Sequence, residues 1–179
     1  MSSLKPFSKL PALNSANILV SCLCFIELFA FCFLFNAPTR RLAKSLPLPK
    51  ENEESRPRID LVVFIINMTS ELSFQSAEAS LKHLDPGFFL GKVCFMVTNA
   101  RNASVPTERL DSVRKLAASL HCPVLFAEDQ TPAGVTNAAE RLLTILKVTA
   151  GHVPMATALY LSNLTRCTVP PDIDQPSFD

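Results

Sequence analysis

The sequence predicts an α/β domain, a mostly parallel sheet flanked by helices, and three observations carry that reading. Inside RIDLVVFIINM (residues 58–68), the six positions Leu61–Ile66 are all apolar and mostly β-branched. No polar residue alternates with them, so such a strand is buried on both faces, as at the centre of a covered parallel sheet. Two further strand-like runs follow, KVCFMV (92–97) and PVLFA (123–127). Between them lie segments whose apolar residues recur at helical spacing, and strand–helix alternation implies parallel strands joined by crossovers.

Taken in order, the chain opens with a mixed segment holding Lys5 and Lys9, and a first strand is expected at Ala16–Val20. The stretch Ile18–Phe35, ILVSCLCFIELFAFCFLF, carries a single charge, Glu27. As a helix it would reach about 27 Å, close to the ~30 Å of a bilayer core, so hydropathy alone allows a membrane anchor. Arg40, Arg41, Lys44 and Lys50 outnumber Lys5 and Lys9, which would hold the remainder of the chain on the cytosolic side. The exit Phe35-Asn36-Ala37-Pro38 lacks the small-x-small site of a cleaved signal. Leu42–Pro57 reads as a connector, stiff at Leu46-Pro47-Leu48-Pro49 and charged at Lys50–Glu54.

After the central strand, Thr69–Ser73 supplies capping residues, and Phe74, Ala77, Leu81 and Leu84 form the stripe of a sheet-facing helix. Asp85-Pro86-Gly87 is a turn leading to the second strand. Thr107 can cap a helix whose face is Leu110, Val113, Ala117 and Leu120, with Arg109, Arg114 and Lys115 toward water. After the third strand, Val135–Ala150 is the last long helix, ended by Gly151 and Pro154. Residues 1–165 therefore read as one domain, with an atypical apolar insert at 18–41. Residues 166–179, Pro-rich and acidic from Pro170, read as a disordered tail.

Composition excludes several functions. With Lys+Arg 17 against Asp+Glu 16, the net charge of +1 offers no broad attraction to nucleic acid. The six cysteines form no CxxC pair, and Cys94 lies inside an apolar run, which fits a buried reduced thiol. His83, His121 and His152 are far apart, without a carboxylate or cysteine partner at catalytic spacing. His83 and His121 fall near helix ends, where contact with the last carbonyls is the ordinary role. Glu128-Asp129 could pair as acid and base, but two acids in a polar loop are ordinarily solvated. Asn67-Met68-Thr69, Asn102-Ala103-Ser104 and Asn163-Leu164-Thr165 match N-x-[ST] and read as chance matches in a cytosolic domain.

In an open α/β sheet a ligand binds at the carboxyl ends of the strands, here Asn67-Met68-Thr69, Thr98–Asn102 and Glu128-Asp129. Their order resembles the second half of a small GTPase, with Asn99 at the Asn of N-K-x-D. Ala100 replaces the Lys and Asn102 the Asp, so the guanine-reading carboxylate is missing. A phosphate loop needs glycines so that backbone N–H groups can close on phosphate, yet no glycine precedes Gly87. Nucleotide hydrolysis is not expected, and no cofactor is implied.

Apolar residues do occur where the chain should be wet. Phe88, Phe89 and Leu90 stand between Gly87 and Gly91, and residues 155–164 (MATALYLSNL) continue helical with Leu159, Tyr160 and Leu164. The two segments either pack on each other or form a docking face for a partner.

Longer phrases carry a family resemblance: LKPFSKLPALNSANIL (4–19), LAKSLPLP (42–49), RPRIDLVVFIIN (56–67), FFLGKVCF (88–95) and AGHVP (150–154). Together they make the chain resemble the centromere protein M family. The resemblance implies a small-GTPase-like fold without nucleotide, in the nuclear inner kinetochore assembly on centromeric chromatin. It implies centromere proteins H, I and K as partners, with docking chiefly on the helical-repeat protein I, and nucleic-acid contact at most indirect. Between Val20 and Arg41 the family would run from strand through a turn into an amphipathic helix. The apolar stretch stands there instead, which leaves the first crossover open and the membrane as a partner only if Ile18–Phe35 is an anchor.

Overall fold

A computed structural model describes Leu10, residues 16–21, Leu46, residues 57–128 and residues 131–159. Four strands, β1 (Ile18–Ser21), β2 (Leu61–Asn67), β3 (Val93–Thr98) and β4 (Val124–Ala127), form one parallel sheet in chain order. Three helices accompany it: α1 (Glu71–Leu81), α2 (Thr107–Ser119) and α3 (Pro132–Thr149), with a 3-10 turn at Pro86–Phe89. This is an α/β architecture consistent with a small-GTPase-like fold.

The pleat divides the core into two layers. Val62, Phe64 and Ile66 of β2 join Val93, Phe95 and Val97 of β3 on the face covered by α1, α2 and Phe88. Leu61, Val63 and Ile65 join Cys94, Met96 and Leu125 on the face covered by Ala139, Leu142 and Leu146 of α3. That α1 and α2 share a face follows from the strand order, because successive crossovers of one hand, stepping one way along a sheet, stay on one side. The Phe64 and Phe95 rings stack at 5.8 Å between centroids and 29° between planes, at the middle of the larger layer.

Local chemistry moves several boundaries. The first strand lies at Ile18–Ser21 rather than Ala16–Val20, because the carbonyl of Asn17 is taken by the N–H of Asp60 just ahead of the β1–β2 ladder. Helix α1 buries a narrow stripe of Ser73, Ala77 and Ser80, with Phe74 and Leu81 packed at its border. Ser73 Oγ accepts the N–H of Asn67 at 3.0 Å, so the helix binds the end of β2 through its first turn. Thr107 is the first residue of α2 and not its cap; Pro106 holds the extended cap position. Helix α3 begins three residues earlier than the apolar periodicity indicates, because Thr131 accepts the Gly134 N–H and Pro132 follows with a preset φ. It ends in a Schellman turn: His152 N–H reaches the Lys147 carbonyl, Gly151 N–H reaches Val148, and Gly151 has φ of 83°. Beyond that, residues 151–157 are turns rather than continued helix, and helical geometry reappears only at 158–159.

Two expectations about the chain before β2 change. Leu46, read as part of a stiff connector, is buried in the layer beneath α1 and α2. Within the apolar stretch, residues 18–21 form a strand, and Ser21 is paired with Phe64. A single membrane span between residue 21 and residue 46 would put β1 and Leu46 on opposite sides of a bilayer, yet both belong to one packed core. The remainder of Ile18–Phe35 lies outside the described residues. Among the described residues, no helix is long and apolar enough to cross a membrane. The tail 166–179 also lies outside them.

Phe64 is fully buried, so Phe64→Ala is expected to cost about 3–5 kcal/mol, read as a lowered urea midpoint with unchanged slope. Cys94 and Cys122 are buried and free. Burial pushes both thiols up, Cys122 to about 12. The folded state thus keeps a proton that the unfolded chain releases near pH 9, and stability contributed by this thiol is lost as pH rises from there. Cys122→Ala should flatten the fall in urea midpoint between about pH 8 and about pH 10.5.

Candidate functional site

The parallel strands and returning helices give the domain two poles. Where the strands end, Asn67, Asn99 and Glu128 follow β2, β3 and β4. Asn67 Oδ1 accepts the Thr69 N–H at 3.0 Å and the Thr69 hydroxyl at 2.7 Å, and Asn99 Nδ2 approaches it at 3.4 Å. Asn99 holds φ of 56°, a conformation that Asn tolerates because its side chain bonds locally. Arg109 reaches across from α2 to the Met68 carbonyl and pairs with Glu71 at 2.7 Å, joining the β2–α1 loop to α2. Arg101 pairs with Glu128 at the surface. In these contacts the loops bind one another's polar groups, and Asn67 serves as the hub.

The proposed acid–base pair is therefore half accounted for: Glu128 is engaged by Arg101, and Asp129 lies outside the described residues. The histidines do not converge. His83 and His121 follow α1 and α2, and the Schellman turn ending α3 holds His152. Among the described residues, no group of three or more His, Cys, Asp or Glu is placed to hold a metal ion. The Asn67 and Asn102 sequons fold back on themselves, each Asn Oδ1 accepting the hydroxyl of its own Thr69 or Ser104.

Where the strands begin, the surface is apolar. The three residues Phe88, Phe89 and Leu90 do not act alike. Phe88 is fully buried beneath the sheet, Phe89 packs at the edge of the same layer, and Leu90 is 45% exposed. The 3-10 turn explains the division: Asp85 Oδ1 caps it by accepting the Gly87 N–H, which turns Phe88 inward and carries Leu90 to the rim. Leu159 is 52% exposed and Met155 fully so. Tyr160 lies outside the described residues. The two apolar segments meet, since Gly91 (φ 87°) lies so near Ala158 that a methyl group there would overlap the Ala158 carbonyl.

Of the two alternatives left open by sequence, the first holds in the backbone approach of the segments; Leu90, Met155 and Leu159 remain exposed beside it. Below them lies a buried polar floor. Asp60 accepts from Arg58 Nε at 2.7 Å and from the Asn17 N–H at 3.0 Å. Lys92, only 4% exposed, donates from Nζ to the Thr149 carbonyl at 2.8 Å. Burial, then the Arg58 charge, holds its ammonium below the usual lysine range, while Asp60 acts the other way. Sequence reasoning missed Lys92, Arg101 and Arg109 as structural bonds. For Lys92 the signal was a single charge heading an otherwise apolar strand; for the arginines there was none.

Comparison with known proteins places this geometry. A family model described as Centromere protein M (CENP-M) matches residues 35–168. Centromere protein M of Danio rerio is 55% identical over 185 residues, covering 98% of this chain and 98% of that protein. Centromere protein M of Homo sapiens is 39% identical, and that of Bos taurus 41%, each covering 97% of this chain and 99% of its relative. With a matching family model and relatives alike along nearly their whole length, the chain belongs to the centromere protein M family.

Proposed function

We propose that this chain is a non-catalytic structural subunit of the inner kinetochore, working in the nucleus at the centromere. It docks on the helical-repeat centromere protein I, in a complex with centromere proteins H and K, and so supports kinetochore assembly and chromosome segregation. The observation that carries this reading is the placement of Leu90 and Leu159 on segments that meet at the Gly91–Ala158 contact, both side chains open to solvent. Contiguous apolar exposure of that kind marks an interaction surface. Fully burying an exposed leucine contributes about 1.5–3 kcal/mol, so Leu90, Leu159 and Met155 would act as anchors within a larger contact. Tyr160 extends the patch by its place in the sequence.

A non-catalytic role accords with the opposite pole, where Asn67, Asn99, Arg109 and Glu128 hold the loops to one another. It also accords with Ala100 and Asn102 at the guanine-reading positions and with the absence of any glycine before residue 87.

The test replaces one anchor at a time. Leu90→Glu or Leu159→Glu should reduce co-purification with centromere protein I at least tenfold, about 1.4 kcal/mol or more, with the circular dichroism spectrum unchanged. Undiminished capture by both variants rules out this surface, and tight binding of GTP by the purified chain rules out the non-catalytic assignment.

A further inference from the structure

We propose that the dipeptide Gly91-Lys92 is a two-point clamp on the segment leaving α3, with Lys92 the positioning residue for the docking face. The functional half of this inference rests on the docking reading above; the clamp itself does not. Lys92 takes hold of the segment where it begins, donating to the Thr149 carbonyl in the last turn of α3. The last carbonyls of a helix have no partner within it and carry its partial negative charge, so a buried ammonium is matched to that place. Gly91 takes hold where the segment ends, its Cα face against the Ala158 carbonyl, where no side chain fits. Between these two points the chain makes the Schellman turn at Gly151 and a second left-handed residue, Met155 (φ 63°).

Consecutive residues at the head of β3 thus grip positions 149 and 158. Leu90 precedes the pair directly and Leu159 follows the second grip directly, so one rigid strand start sets the relation between the two anchors. Residues 151–157 contribute little packing of their own, being mostly exposed turns. The floor beneath sets two cations, Arg58 and Lys92, against the one carboxylate of Asp60, which Arg58 pairs, and Lys147 and His152 are further ionisable groups at this end of α3.

The experiment measures amide hydrogen exchange at residues 152–159 in the full chain carrying Lys92→Met, which keeps the straight stem and removes the donor. Exchange there should quicken at least tenfold while β2 and β3 amides keep their protection, and capture of centromere protein I should fall although Leu90 and Leu159 are intact. Gly91→Ala attacks the other grip without touching a buried charge and should give the same pattern, so the inference stays testable if the lysine variant folds poorly. Unchanged exchange in both variants overturns the clamp, and so does a loss of protection that runs equally through β2 and β3. Faster local exchange with undiminished capture overturns the positioning role. The docking reading fails separately, by undiminished capture of the Leu90→Glu and Leu159→Glu variants.

Discussion

Strand β2 has no face that can meet water. All six residues from Leu61 to Ile66 are buried, alternately toward one layer and the other, so the sheet must be covered on both sides before the strand is stable at all. Parallel pairing to β1 and β3 meets its backbone groups within the sheet, and parallel strands need long connections that return over a face. Those returns are α1 and α2, and α3 closes the other side after β4. The burial of one strand thus dictates the number of layers and the direction in which every helix runs.

That direction creates two unlike ends. Each helix starts near where a strand stops and finishes near where a strand starts, so helix N-termini gather with Asn67, Asn99 and Glu128, and helix C-termini gather with Leu90 and Lys92. The first end is the place where α/β sheets hold ligands. Here its polar side chains bridge neighbouring loops, as Arg109 does from α2 to Met68 and Glu71. The other end has three helix C-termini to satisfy. His83, His121 and His152 all fall there, and Lys92 reaches the Thr149 carbonyl from the sheet itself. Large apolar side chains are exposed at both ends, Leu72 in the first turn of α1 and Leu90, Met155 and Leu159 at the other.

Much of the fold was legible because periodicity reports burial. The strands, the helices and the turn at Asp85 came from apolar spacing and a few capping residues, and their errors are of a piece. Periodicity marks where a helix is buried, not where its backbone begins, so Pro132–Gly134, exposed or half-exposed, were passed over until the Thr131 cap placed them. The exposed apolar rim was legible as a segment but not as a set of side chains. Three large residues in a row, Phe88, Phe89 and Leu90, look alike in sequence, and only the 3-10 turn decides that the first is core and the third is rim. Lys92 stood out as a lone charge heading an apolar strand, but its partner was illegible for a different reason. Its bond spans 57 residues, to a backbone carbonyl that every residue type possesses, so no residue pattern could announce it.

The apolar stretch Ile18–Phe35 bears on which outside surface this chain meets. Hydropathy alone weighs the apolar stretch as lipid-facing, because it scores residues without asking what their neighbours in the chain are doing. The neighbours are committed. Ser21 pairs with Phe64 on one side of the stretch, and Leu46 is buried with Ile59, Val62 and Phe64 on the other. Twenty-four residues lie between them, and two crossings of a bilayer would need about forty. Among the described residues of this core, Leu90, Met155 and Leu159 stand exposed where the strands begin, while Leu72 on α1 and Phe126 on β4 are exposed elsewhere.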